Sequence, residues 1–172
     1  MKFLLDKKPR CFVQLGTVMT HPDYRGQGLL RFLMERVLHD WKDACDGLFL
    51  YANETVLDFY PKFGFTQSVE WEAQKPVVPK EGNVRKLNLV YPQDQALFLQ
   101  KSQIPNPFSA LAVMGNSTIQ FHCDYFLSDG VYYLEDFDAV AVAEQEGDTL
   151  TCYDIFCEGG SLDEILAVLA AP

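Results

Sequence analysis

Arg25-Gly26-Gln27-Gly28 stands between an apolar, β-branched segment ending in Val18-Met19-Thr20 and an amphipathic run that opens at Leu29-Leu30. Residues of these types at a strand-to-helix junction can hold an anion. Backbone N–H groups at a helix N-terminus lack intrahelical partners, and the helix dipole favours negative charge there. Gly26 and Gly28 let the chain curl and a ligand approach closely, while Arg25 adds a permanent cation. No Lys-Ser or Lys-Thr follows the glycines, so a nucleotide P-loop is disfavoured. Two further positions join this loop. Asn53 ends a short apolar run, and Tyr60 lies in Phe59-Tyr60-Pro61-Lys62-Phe63-Gly64-Phe65. A tyrosine beside the end of a parallel strand can aim its hydroxyl into the crevice where α/β proteins bind ligands, as proton donor or orienting group.

The elements that must carry these residues follow from periodicity. Residues 11–19 predict a strand, and residues 28–44 a helix with Leu30, Leu33, Met34, Val37, Leu38 and Trp41 on one face. The polar face carries Arg31, Glu35, Arg36, Asp40 and Asp43. Leu48–Ala52 reads as a buried parallel strand, Asn53 as the N-cap of a short helix through Tyr60, and Phe65–Trp71 as another strand. Together these predict an α/β unit with a crossover connection.

The Arg-Gly-Gln-Gly-Leu-Leu run, Asn53, and Tyr60 within its Phe-Tyr-x-x-x-Gly-Phe segment resemble the GNAT superfamily of acyl-CoA-dependent N-acetyltransferases over residues 11–75. Leu30 departs from the small residue usual at the end of the loop motif. The resemblance implies a mixed sheet flanked by helices. It implies that the N–H groups around Gly26, Gln27, Gly28, Leu29 and Leu30, beside the charge of Arg25, hold the pyrophosphate of acetyl-CoA. It further implies that strand residues Val18, Met19 and Thr20 pair with the pantetheine arm, that Asn53 touches that arm, and that Tyr60 is the catalytic acid. No metal is implied. The acceptor is a small-molecule or peptide amine attacking directly, which agrees with the lack of any Cys–His or Ser–His arrangement for a protein nucleophile.

Plainer roles stand beside these. The glycine turn can be a tight connection, Tyr60 a core tyrosine and Arg25 a surface charge. His21 and His39 read as turn and surface residues, and His122 as a core or helix-surface residue. Glu135, Asp136 and Asp138 can receive an amine or merely solvate a strand end.

Three expected segments divide the chain: 1–75, the back half of a GNAT catalytic domain; 76–84, a linker with Pro76 and Pro79; and 85–172, a GNAT-like half without the chemistry. In the last, the spacing predicts a strand at 85–90 and helices at 93–103 and after Ser117. Three strands follow at 131–135, 139–144 and 149–157, the last two joined at Gly147-Asp148, then a helix at 162–169 capped by Ser161. At its strand-to-helix junction stands Glu158-Gly159-Gly160-Ser161, with an acid where the first half has arginine. Family members normally carry a strand, two helices and two strands before the motif strand, and here only about ten residues precede it. The expected resolution is one shared, mostly continuous sheet, completed by the C-terminal half or by a second copy in a homodimer; the alternative is a piece of a longer tandem protein.

Composition bounds the partners. Of the net charge of −10, none arises in residues 1–75, where 10 basic and 10 acidic side chains balance; residues 76–172 carry 4 basic and 14 acidic ones. That half argues against nucleic acid and anionic membrane. Five scattered cysteines without C-x-x-C read as free, buried thiols of a reducing cytoplasm. The competing functional classes that the resemblance implies are an acetyltransferase and a CoA-binding, regulatory or structural module without turnover.

Overall fold

The computed structural model describes residues 1–115 and 117–171, with the side chain of Ser117 also outside the description. The chain forms two compact units, one of residues 1–3 and 9–73, the other of residues 4–8 and 74–172. The class is α/β.

Three strands lie in the order β3-β2-β1: β1 (Lys2–Leu5), β2 (Lys8–Leu15) and β3 (Gly47–Leu50), the first unit holding residues 2–3 of β1, residues 9–15 of β2 and all of β3. Met1 and Phe12 exchange both backbone hydrogen bonds, at 2.6 and 3.0 Å, as an antiparallel pair does. Asp6 and Lys7 turn that hairpin with φ of 48° and 64°, the paired positive values of a two-residue type I′ turn. β2 and β3 run parallel, with Phe12 opposite Gly47 and Leu15 opposite Leu50. Parallel neighbours need a crossover, and α1 (Leu29–Trp41) supplies it. Asp46 pins the return: its carboxylate accepts from the Cys11 N–H at 2.7 Å and from Arg10 at 2.8 Å. Phe3 is the buried centre of an aromatic group, edge-on to Phe12 and Phe49.

The second unit holds β4 (Val84–Lys86), α2 (Pro92–Lys101), β5 (Leu111–Val113), α3 (Ser117–Tyr125), β6 (Val131–Leu134), β7 (Ala139–Glu146), β8 (Thr149–Phe156) and α4 (Leu162–Leu169). Its sheet runs β4-β6-β7-β8, antiparallel throughout. β7 shows why this unit stands as a body of its own: Ala139 to Ala143 are all fully buried. Alternate side chains reach opposite faces of a strand. Ala139, Ala141 and Ala143 pack with Ile155, Ile165 and Val168 under α4, whereas Val140 and Val142 pack with Leu87, Phe98, Cys123 and Val131 from the α2 and α3 side. Lys101, nearly buried, is paired with Asp138 at 2.5 Å, and Tyr133 donates its hydroxyl to the same carboxylate at 2.8 Å.

Several expectations change. The strands divide into two sheets instead of one continuous one. In the second sheet, β6, β7 and β8 follow one another through short connections, so the ladder closes at little entropic cost. The motif strand spans Lys8–Leu15 rather than 11–19: Thr17 has φ of 53°, a left-handed conformation that leaves a ladder. Val18, Met19 and Thr20 are therefore not strand residues. The helix expected after Asn53 is two 3-10 turns, Glu54–Val56 and Tyr60–Phe63, because Pro61 withholds an N–H and Gly64 terminates the second turn with φ of 86°. Residues 65–71 form no strand. The strand at 85–90 shortens to Val84–Lys86, as Asn88 takes the Val90 N–H into a turn. β1 and β5 were not anticipated. The cap expected at Ser117 lies outside the described side chains. Two of the five cysteines, Cys123 and Cys157, are buried; the others are half-buried and all are free.

Candidate functional site

The loop before α1 is built by turn chemistry. Pro22–Tyr24 forms a 3-10 turn whose N-cap, His21, accepts from the Asp23 N–H through Nδ1 at 3.4 Å. The Arg25 N–H donates to the Pro22 carbonyl at 3.2 Å, and Arg25 Nε donates to the Thr20 carbonyl at 3.1 Å. Arg25 thus folds across its own loop, which fixes where its charge sits. Gln27 donates to the Asp23 carbonyl at 3.4 Å.

Gly26 and Gly28 both have φ of 76°, and a methyl group added at either would meet nothing within 4 Å. Conformation favours glycine at both positions, and the space outside them is open. Gly28 is the N-cap of α1 and offers no side-chain cap. The first bond of the helix runs from the Phe32 N–H to the Gly28 carbonyl at 3.0 Å. The N–H groups of Leu29, Leu30 and Arg31 precede that bond and are the ones a helix leaves to an external acceptor. The first turn of α1 contains no acidic residue to occupy this positive end.

Tyr60 is the buried residue of its 3-10 turn, 8% exposed. Its ring packs edge-on against Phe59, with centroids 5.4 Å apart, and against Phe65 at 6.1 Å. Among the described residues no group hydrogen-bonds to its hydroxyl, yet no buried side-chain oxygen lacks a partner. The ring is therefore enclosed while the oxygen keeps some access to solvent. A buried phenol normally finds a partner, so one held this way is ready to donate to a ligand.

This turn lies alongside the start of α1. The Arg31 guanidinium sits over the Phe63 ring, 5.7 Å from its centroid, and Phe63 packs on Phe59 at 5.0 Å. Asn53 is exposed and already engaged on one side: its carbonyl oxygen accepts from the Thr55 N–H at 3.0 Å and from the Thr55 hydroxyl at 2.9 Å. Only its amide N–H groups remain for a ligand. Met19 is exposed, and Val18 and Thr20 are half-buried. Sequence reasoning missed the contact of Arg31 with Phe63. Its only trace in the sequence is an arginine in the first turn after the glycines, which was assigned to the polar face.

The strand, glycine loop and helix carry the sequence of a known domain. Residues 4–67 match the family of the acetyltransferase (GNAT) domain. This segment is similar in sequence to that domain. No curated protein and no solved structure matches the chain. The GNAT match takes in β1 from Leu4 onward and ends two residues beyond Phe65, so it contains the glycine loop, Asn53 and Tyr60. It supports an acyltransferase-type function for this segment. The described residues contain no group of three or more His, Cys, Asp or Glu able to hold a metal ion. None of their helices is long and apolar enough to cross a membrane.

In the second unit, Glu158-Gly159-Gly160-Ser161 meets a different fate from the first loop. The Ser161 hydroxyl accepts from the Glu164 N–H at 3.4 Å, and Asp163 and Glu164 occupy the first turn of α4. That helix end is capped and already faced by acids, which disfavours an anion there. Of the three carboxylates proposed for an amine, Asp136 holds the Asn83 N–H and side-chain amide, and Asp138 holds Lys101 and Tyr133. Both are committed to structure.

Proposed function

We propose that the GNAT segment moves an acetyl group from acetyl-CoA to an amine. The observation that carries the reading is the pairing of two unfilled features: an uncapped, acid-free helix start behind two left-handed glycines, and a packed tyrosine with a free hydroxyl on the turn beside it. The pyrophosphate would accept from the N–H groups of Gly26 to Leu30, with Arg25 contributing charge. The segment Val18–Thr20 would run along the pantetheine arm through its free backbone groups, although the Thr20 carbonyl is taken by Arg25. Asn53 would donate its amide to that arm. Leu30 contributes only its N–H.

The chemistry then asks little of the protein. The neutral amine attacks the acetyl carbonyl carbon, the C–N bond forms, and the C–S bond breaks. The Tyr60 hydroxyl gives its proton to the departing sulfur, and the proton lost by the amine returns to water and thence to the phenolate. The acceptor would be a small-molecule or peptide amine, and the site of action the cytoplasm. The second unit would be a GNAT-like partner domain without CoA chemistry; its committed helix end supports that role.

The test is Tyr60→Phe, assayed by thiol release across a panel of polyamines, aminoglycosides and peptide N-termini. General acid catalysis is worth about 10²–10⁴-fold, so turnover should fall by at least ~10²-fold with acetyl-CoA affinity unchanged. Full turnover by the variant would remove Tyr60 from this role. Binding without turnover in the wild type would favour the regulatory-module reading.

A further inference from the structure

We infer that Arg31 is a positioning residue that ties the turn bearing Tyr60 to the phosphate-facing end of α1. The inference rests on the proposed role of Tyr60 but invokes no contact of Arg31 with acetyl-CoA. Arg31 occupies the first turn of α1, where an arginine after an open glycine loop would ordinarily swing toward an anion. Here two other contacts engage it. Its guanidinium lies 5.7 Å from the Phe63 centroid, and it pairs with Glu35, one turn along the same helix, at 3.6 Å.

Phe63 is not an end point. It packs on Phe59 at 5.0 Å, Phe59 on Tyr60 at 5.4 Å, and Tyr60 on Phe65 at 6.1 Å. A continuous run of ring contacts therefore leads from the guanidinium to the catalytic phenol. The turn needs such a tie. It is a four-residue 3-10 element whose N-cap makes no side-chain bond, and Pro61 removes one N–H from its backbone. The segment after it, from 66 to 73, belongs to no helix or strand. The phenol is thus held by its rings and by what those rings touch. Lysine would not serve equally, because its compact ammonium lacks the flat face that a guanidinium lays on a ring.

The experiment uses the full chain labelled with 3-fluorotyrosine, the Tyr60 signal being identified by its loss in Tyr60→Phe. Arg31→Met keeps the length of the side chain and removes the cation; Phe63→Leu removes the ring. Each should shift or broaden the Tyr60 fluorine resonance and leave the acetyl-CoA dissociation constant within about two-fold, since neither side chain is a ligand contact in this scheme. The double variant should do little more than either single one, and Arg31→Lys should restore the signal only in part. In turnover with the best amine of the panel, kcat should fall on the order of ten-fold with KM for acetyl-CoA nearly constant, the signature of a misplaced catalytic group. A Tyr60 resonance unmoved by Arg31→Met overturns the inference. So does a ten-fold weaker acetyl-CoA complex in Arg31→Met but not in Phe63→Leu, because Arg31 would then be a phosphate ligand. If the wild type fails to bind acetyl-CoA while the resonance still responds to both variants, the tie stands and the proposed activity falls.

Discussion

Replacing Gly28 with alanine separates the conformational argument for the loop from the steric one. Gly28 has φ of 76° and ψ of 4°, and a Cβ there meets no atom within 4 Å. The mutation therefore introduces no clash inside the protein, and its cost is backbone strain alone. An L-residue in the left-handed region costs about 1–2 kcal/mol. Alanine also narrows the unfolded ensemble, which returns roughly 0.4–1 kcal/mol. The net expectation is a loss of about 1 kcal/mol. Gly16 is the matched control: its surroundings are equally open but its φ is not positive, so Gly16→Ala should be neutral or raise stability by about 0.5 kcal/mol. Both tryptophans, Trp41 and Trp71, lie in the first unit, so urea unfolding followed by tryptophan fluorescence reads that unit alone. Gly28→Asn should recover part of the loss, since asparagine tolerates this conformation. In binding, the methyl group of Gly28→Ala would point into the space assigned to the pyrophosphate and weaken acetyl-CoA by about ten-fold or more. Equal urea midpoints for Gly28→Ala and Gly16→Ala would refute the backbone argument, and an unchanged acetyl-CoA affinity would refute the cradle.

Other outcomes are equally specific. Burial pushes the Asp154 carboxyl above its ordinary range, against hydrogen bonds from Asn106 and Ile155 that oppose the shift. The folded state then holds this proton more tightly than the unfolded one, so the Asp154 contribution to stability falls as pH rises through its folded pKa. Asp154→Asn keeps an oxygen for both donors and should stabilise the protein at pH 7 by on the order of 1 kcal/mol, an advantage that shrinks as pH falls through the raised folded pKa and is largely gone by pH ~4 in acid urea melts. Burial pushes the Cys123 thiol up to about 12 and the Cys152 thiol to about 11, so at pH 8 neither should react with iodoacetamide until the chain is unfolded, as peptide mapping would read. Phe98 is fully buried and meets Phe156 edge-on, so Phe98→Ala should cost about 3–5 kcal/mol, measured by amide hydrogen exchange of the β7 and β8 backbone in the second unit.

The parts of the fold that periodicity sets were legible in the sequence. α1 and α4 carry apolar residues at helical spacing, and β7 and β8 flank a Gly-Asp turn, so their existence followed from local pattern. The elements that were missed depend on tertiary partners. β1 is four residues beside two lysines, and its hairpin turn uses Asp6-Lys7, a pair without the glycine that usually marks a type I′ turn. β5 is three residues long, below what any pattern can show. Residues 65–71 alternate as a strand should, but β propensity describes fitness for a pleated surface and does not create a neighbour. The site was legible as a set of types: glycines, arginine, asparagine, tyrosine. What the sequence hid was their commitments, such as the Asn53 oxygen held by Thr55 or Arg25 folded onto Thr20, because these depend on local hydrogen bonds that no spacing rule specifies.

The central claim is that the loop at Arg25–Leu30 holds the pyrophosphate of acetyl-CoA. Calorimetric titration of acetyl-CoA into the wild-type chain and into Arg25→Glu tests it most directly. The account predicts saturable one-to-one binding to the wild type. Charge reversal beside the phosphates should weaken it by about ten-fold or more, with a smaller difference at high salt. Absence of binding to the wild type, or equal affinity in the two proteins, would contradict it.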